Sequence, residues 1–244
     1  MKPDLLPRLA HAEAAAHARY GESGAVAHFG PLVAVHAGPD LPVNAAWHGG
    51  TEGLTEAELD GFEAFCAQHG QPATLHVLSH AAPALLPTLR ARGYALDYVL
   101  HAHTHDLTAL PPPPALTVRE EPGADFWADL SARGFGPGTG AIMRLVAHAA
   151  GTRRLVAEVN GQPAGTAALS VTDGVAAFYG TSTLPEFRGR GVQAALLAAR
   201  LHLAAEAGAD FSSVFVTPGS GSERNVRRAG FQVAGGRLTF TRAG

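Results

Sequence analysis

The stretch Thr183–Gln193, reading Thr-Leu-Pro-Glu-Phe-Arg-Gly-Arg-Gly-Val-Gln, constrains this chain more than any other part of it. The residues before it, Val175–Ser182, are apolar and β-favouring, and Ala194–Gly208 after it is rich in Ala and Leu and free of Pro. The stretch is therefore a strand-to-helix turn. A helix start offers backbone N–H groups with no intrahelical partner and the positive end of the helix dipole. Gly189 and Gly191 let that backbone approach a ligand closely, and Arg188 and Arg190 add positive charge. Together they suit an anion, a diphosphate above all. The plainer reading is a solvated Arg/Gly turn that only opens a helix, and the surroundings have to separate the two.

Composition narrows the classes. The chain has 244 residues, of which 46% are apolar and 16% charged, enough for one large domain or two small ones and too apolar for disorder. A net charge of −3 gives no general attraction to nucleic acid or to an anionic membrane, so any anion site is local. Lys2 is the sole lysine among the basic residues. Cys66 is the one cysteine, which excludes an internal disulfide and a Cys-rich zinc site. It shares a helical stripe with Leu59, Phe62 and His69 and reads as a small core residue. The first residues include Asp4, Arg8, His11 and Glu13 and lack a signal-peptide core, and no apolar run reaches membrane-spanning length. A cytoplasmic protein with no membrane or nucleic-acid partner is expected.

Along the chain, residues 1–20 read as helical, followed by short strands at Ala25–Phe29 and Leu32–His36. Thr55–His69 is a helix with Thr55 as cap, Glu58 three residues on and Gly70 at its end. Thr74–Ser79 reads as a strand, Pro83–Arg92 as a short helix closed by Gly93, and Tyr94–His105 as a long strand. Pro111–Pro114 is four prolines in a row, stiff and unable to join a helix or inner strand. We place a domain boundary there, giving 1–110, a linker at 111–114, and 115–244. In the second part, Leu116–Glu120 reads as a strand and Asp125–Arg133 and Ala141–Ala149 as helices. Asn160-Gly161 and Asp173-Gly174 are hairpin dipeptides, so Leu155–Val159, Gly165–Val171 and Val175–Ser182 form three antiparallel strands. Phe211–Val216 is the next strand, Ser222–Ala229 a short helix, and Phe231–Thr241 the last strand. The fold class is mixed α/β (α+β), with helices on both sides of its sheets.

The two halves repeat. Leu89-Arg90-Ala91-Arg92-Gly93-Tyr94 matches Val226-Arg227-Arg228-Ala229-Gly230-Phe231, and upstream of each lie a strand and a helix ending in Gly70 or Gly208. The anion turn occurs once. At the corresponding place the first half reads Gly49-Gly50-Thr51-Glu52-Gly53-Leu54-Thr55-Glu56, and Glu52 and Glu56 repel a diphosphate. The first half is expected to keep the fold without the ligand.

Residues 154–231 resemble the GNAT superfamily of N-acetyltransferases. The family signature, Arg/Gln-x-x-Gly-x-Gly/Ala between a strand and a helix, is matched by Arg188-Gly189-Arg190-Gly191-Val192-Gln193, preceded by Leu184-Pro185-Glu186-Phe187. Asn225-Val226-Arg227-Arg228-Ala229-Gly230-Phe231 is similar to the family's final helix and Gly-Phe. The resemblance implies two GNAT-like domains, each a mostly antiparallel mixed sheet flanked by helices, the first a diverged copy. It implies acetyl-CoA as co-substrate, its diphosphate on the backbone N–H groups from Arg188 to Gln193, its pantetheine arm along the strand at Thr183, and the Leu184 N–H polarising the thioester carbonyl. It also implies a small-molecule or peptide amine as acceptor, beside Tyr179, and no metal. Asn225 is a candidate to hydrogen-bond the arm.

Two positions depart from the family. Gln193 replaces the last Gly/Ala and narrows the approach, and Val226 stands where the family's usual Tyr acid would be. Tyr179, Thr181, Ser220 and Ser222 are the hydroxyls in reach of that role, with Tyr179 and Ser222 carried as catalytic candidates. Two other readings stay open. One is a non-catalytic acyl-CoA-binding module. The other is a metal-dependent hydrolase using His101, His103 and His105, which alternate along one strand, with His76 and His80 as possible additions.

Overall fold

The computed structural model describes residues 5–242. In chain order the elements are α1 (Leu5–His17), a 3₁₀ turn (Ala18–Gly21), β1 (Ala25–Phe29), β2 (Leu32–His36), β3 (Ala46–His48), α2 (Glu56–Gln68), β4 (Ala73–Leu78), α3 (Ala82–Ala91) and β5 (Ala95–His105). There follow β6 (Thr117–Glu120), α4 (Ala124–Phe135), α5 (Gly140–His148), β7 (Arg153–Val159), β8 (Gln162–Thr172), β9 (Val175–Thr183), a 3₁₀ turn (Pro185–Phe187), α6 (Val192–Glu206), β10 (Phe211–Val216), α7 (Gly221–Arg228) and β11 (Gln232–Arg242). The first four residues of the expected N-terminal helix lie outside the described residues.

The chain forms two compact units, one running to Ala102 and taking back residues from Ala234 on, the other His103–Val233. In the first, the strand order is β1-β2-β3-β4-β11-β5. All its determined pairings are antiparallel except β3 with β4. Its core packs Leu59, Phe62 and Phe65 of α2 and Leu85 and Leu89 of α3 against Leu75, Val77 and Phe240. Chain order would give Phe231–Thr241 to the second half. Instead β11 pairs with β4 over Arg237–Arg242, because Leu238 and Phe240 complete the first core. The three-residue β3 has no counterpart in the sequence reading, since so short a run carries no alternation to detect.

In the second unit the order is β10-β9-β8-β7-β6, antiparallel throughout except β9 with β10. α6 buries Val192, Leu196, Leu197 and Leu201 on the sheet with Phe178 and Phe231. The proline run belongs to this unit, and the His202 Nε2 of α6 bonds the Pro111 carbonyl at 2.9 Å.

The local signals act as their chemistry requires. Asn160-Gly161 and Asp173-Gly174 all have positive φ, the two-residue hairpin geometry. Thr55 and Glu58 form a reciprocal capping box on α2. The internal repeat extends to hydrogen bonds. Tyr94 N donates to Leu89 O and Gly93 N to Arg90 O, and Phe231 N to Val226 O and Gly230 N to Arg227 O in the second copy. Each ending turns on a glycine of positive φ, Gly93 or Gly230.

Cys66 is buried and its thiol pushed up to about 11 by desolvation, which makes it inert. Buried histidines carry a consequence for pH. His17, bonded to Ala45 O at 3.0 Å, is pulled down to about 4 by burial, and burial beside Arg237 and His17 holds His76 well below its ordinary range. Both are neutral in the native state, while the unfolded chain takes up protons near pH 6.5. The unfolded state therefore binds more protons as pH falls from 6.5 towards 4, and stability drops across that window with no effect above it. Urea midpoints at neutral pH and at pH near 5 should show the loss, and His17→Gln should flatten the slope. An unchanged slope in the variant would show that His17 is not a source.

Candidate functional site

The site is set by how β9 leaves its neighbours. It pairs in parallel with β10 only over Val175–Phe178 against Phe211–Val214, although both strands run further. On its other edge the register passes from Ala168↔Tyr179 to Thr166↔Ser182, so Gly180 and Thr181 stand opposite Ala167 alone. This is a β-bulge. Gly180 has φ +60, and a Cβ there would lie 2.9 Å from the Trp127 ring, so only glycine fits. Trp127 of α4 is itself fixed, its Nε1 donating to Leu155 O at 3.0 Å and Ala167 O at 3.2 Å.

Beyond the bulge the chain turns through Pro185–Phe187 into α6. Gly191 is the N-cap, at φ +79, and supplies no side-chain cap. The first helical bond inward is Ala195 N to Gly191 O at 3.0 Å. The N–H groups of Val192, Gln193 and Ala194 thus have no intrahelical acceptor. Nothing lies within 4 Å of the positions a Cβ would take at Gly189 or Gly191, so the backbone is open to approach. Arg188 and Arg190 are exposed, with the Arg190 guanidinium 5.7 Å above the Phe187 ring. A groove of about 420 Å³ runs from this turn along α6, walled by Pro111–Pro114 on one side and by Asn225 and Arg228 of α7 on the other.

The expected site residues fall into three groups. Arg188, Gly189, Arg190, Gly191, Val192 and Gln193 form the turn and first helical residues, with the Val192 side chain buried in the core. Thr183 ends β9, opposite Gly165. Leu184 corrects the reading: its N–H donates to Ala164 O at 2.9 Å and is not available to polarise a carbonyl. Gln193 and Asn225 also behave differently from expectation. Gln193 Nε2 donates to Ser222 Oγ at 2.9 Å, Asn225 Nδ2 to Gln193 Oε1 at 2.6 Å, and Arg228 to Asn225 Oδ1 at 2.9 Å. Gln193 therefore ties α6 to α7 rather than pointing across the approach, and Asn225 spends its amide inside that tie.

Val226 is 1% exposed and packed in the core with Phe231 and Leu197. Tyr179 shares a hydrogen bond with Thr152 Oγ1 at 3.0 Å. Among the described residues no three His, Cys, Asp or Glu side chains gather as a metal site. His103 Nε2 faces Glu223 at 3.4 Å and His105 Nδ1 accepts from Leu107 N, so two of the three alternating histidines make separate local contacts.

One residue went unread. Arg200 of α6 is 1% exposed, with no acid among its bonds. Its Nε donates to Leu196 O at 3.2 Å and one terminal nitrogen to Ala168 O and Tyr179 O at 3.3 and 3.5 Å, while its guanidinium lies 4.6 Å over the Phe178 ring. Desolvation pulls it down to about 9. Ala168 and Tyr179 are the last regular pair before the bulge, so Arg200 holds the bulge from beneath. The available signal was the one arginine of α6, set between Ala199 and Leu201 in the apolar run Ala194–Leu201.

Comparison with known proteins agrees with this geometry. The family model described as the acetyltransferase (GNAT) family matches residues 124–231. Over that stretch the chain is similar to the GNAT acetyltransferases. No curated protein matches its sequence. A GCN5-related N-acetyltransferase from Kribbella flavida superposes with TM-score 0.79 at 19% identity, over 98% of this chain and 96% of the other. One from Sphaerobacter thermophilus gives 0.54 at 17%, over 98% and 91%. A tandem GNAT protein from the clavulanic acid biosynthesis pathway gives 0.55 at 17%, over 86% and 77%. At these identities the structures establish the fold alone, a mixed α/β fold shared over nearly the whole chain. Among the described residues no helix is long and apolar enough to cross a membrane.

Replacing Arg200 by Met removes a desolvated cation at similar volume, a change often neutral for global stability. Arg200→Met should therefore keep its melting temperature while hydrogen exchange over residues 179–182 speeds up by about tenfold, the equivalent of ~1.4 kcal/mol of local opening. Unchanged exchange there would mean that the bulge stands without Arg200.

Proposed function

We propose that this protein transfers an acetyl group from acetyl-CoA to an amine. The observation that carries the reading is the glycine-capped start of α6, whose first-turn amides open next to Arg188 and Arg190 at the mouth of the groove. That arrangement fits the donor. Of the N–H groups from Arg188 to Gln193, those of Arg188 and Arg190 already donate to Pro185 O and Phe187 O, so the diphosphate would lie on the open first-turn amides of Val192 and Gln193, with Arg190 and Arg228 as its cations and the nucleotide following the groove under the proline wall. The pantetheine arm would enter where β9 and β10 part, along β9 towards Thr183. In this reading the unit His103–Val233 is the donor half, with 111–114 a strap over it, and the unit that runs to Ala102 and takes back β11 is the copy without an anion turn. There the loop Gly49–Glu56 follows β3 as the arginine turn follows β9, but carries Glu52 and Glu56.

Transfer requires the acceptor nitrogen to add to the acetyl carbon, lose its proton and expel the thiolate. Of the two hydroxyls weighed for protonating the thiolate, Ser222 accepts from Gln193, which leaves its own O–H to donate. Tyr179 shares its proton with Thr152. A second reading, a module that binds acyl-CoA without transferring, is favoured by Val226, a core residue with no proton to give. The acceptor in the first reading is a small-molecule or peptide amine.

Calorimetric titration with acetyl-CoA tests the donor site. Arg190→Ala should weaken binding roughly tenfold, the ~1.4 kcal/mol of a charge-assisted hydrogen bond. Gly191→Val, strained at φ +79, should weaken it further. No heat and no melting shift at millimolar ligand would defeat the proposal. Release of free CoA thiol across an amine panel then separates the readings, since a binding module releases none.

A further inference from the structure

The first unit holds a cavity of about 610 Å³, larger than the donor groove and built entirely from its own residues. Its floor is one face of the β4–β11 pair. The register sets Thr74 against Thr241 and His76 against Thr239, while the alternate residues Leu75, Val77, Leu238 and Phe240 turn into the core. The floor is polar although deeply placed, with His76 5% and Thr239 1% exposed. Its groups already pair sideways: Thr74 and Thr241 hydroxyls are 3.3 Å apart, and His76 Nδ1 lies 3.0 Å from Thr239 Oγ1. A polar sheet face at the bottom of a cavity is stable only when its remaining hydrogen-bonding capacity meets water or a polar ligand.

The walls are held in place. His36 and His69 stack at 4.5 Å with their rings 14° apart, and Gln71 bonds His36 Nδ1 at 2.7 Å and Val35 O at 3.3 Å. Asn44 closes the Pro39–Pro42 loop by accepting from Ala37 N at 2.8 Å and donating to Gly38 O at 2.6 Å. Opposite, the Tyr98 hydroxyl accepts from Arg237 at 3.2 Å. The lining carries two carboxylates, Asp40 and Asp97, and neither lysine nor arginine. Hydroxyls, amides and imidazoles make up the rest of its polar surface. Arg237, on the same face of β11 and bonded to Tyr98, offsets one of the two carboxylates, and the concave site keeps a net negative charge that suits a cation carrying hydroxyl groups.

We propose that the first unit binds a small polyhydroxylated amine in this cavity, its ammonium on Asp97 and Asp40 and its hydroxyls on the threonine floor. The site goes beyond the acyl-donor reading and does not depend on it. Three six-carbon polyols that differ only at one end test it on the full chain without acetyl-CoA: glucamine, sorbitol and gluconate, a cation, a neutral molecule and an anion. Calorimetry, with histidine ring signals followed by NMR, should show glucamine binding at millimolar affinity or tighter, sorbitol about tenfold weaker, and gluconate not at all. Asp97→Asn, an exposed position that leaves the fold intact, should bring glucamine down to the level of sorbitol. Arg190→Ala, which weakens the donor site, should leave glucamine binding as it is. The proposal is overturned if none of the three binds, if gluconate binds as well as glucamine, or if Asp97→Asn and Asp40→Asn both preserve the preference for the amine.

Discussion

The parallel ladder between β9 and β10 lasts for four residues and then stops, and the candidate site of the second unit rests on that interruption. A strand that stayed paired would spend its backbone on its neighbour. Here an extra residue is forced into β9, and two side chains and one backbone bond make the distortion stable. Trp127 leaves room only for glycine at 180, Arg200 takes the carbonyls of the last regular pair, and the Leu184 N–H locks the far side onto Ala164. Bulges of this kind re-aim a strand and end its pairing. A charge buried in that position is costly, and its three carbonyl acceptors are what make it tolerable.

The two units show which physical terms make a fold and which make a ligand site. Both place a short parallel pair before a glycine-terminated helix, and both end the following short helix on a positive-φ glycine and an aromatic residue. Those features depend on core packing and chain termination, and they persist in both copies. The anion turn depends on two arginines and an uncapped helix start. In the first copy, Thr55 and Glu58 close a capping box that takes up two of the helix-start amides, those of Thr55 and Glu58, and adds to the repulsion from Glu52 and Glu56. What the first unit has instead is a polar cavity on the opposite face of its sheet from α2 and α3.

Much of this was legible residue by residue. Asn160-Gly161 and Asp173-Gly174 specify hairpins because few other pairs accept positive φ twice, and Gly70, Gly93, Gly208 and Gly230 mark helix ends for the same reason. The strand–RGRG–helix order places the turn without any tertiary information. The tie of Gln193 and Asn225 was not legible, because α6 and α7 are joined there by side chains that lie 32 positions apart in the chain. Nor was the loss of the Leu184 donor, since its acceptor belongs to another strand.

The sequence by itself determined the local conformations: where strands turn, where helices begin and end, and which helix start is left open beside arginines. These are short-range effects, set by φ preferences, capping and charge within a few residues. Only the tertiary structure decided that β11 completes the first unit, that Arg200 supports the bulge, and that threonines and His76 floor a cavity. Each of those rests on contacts between residues distant in the chain, and the free energy of such contacts comes from burial and pairing that no local pattern records.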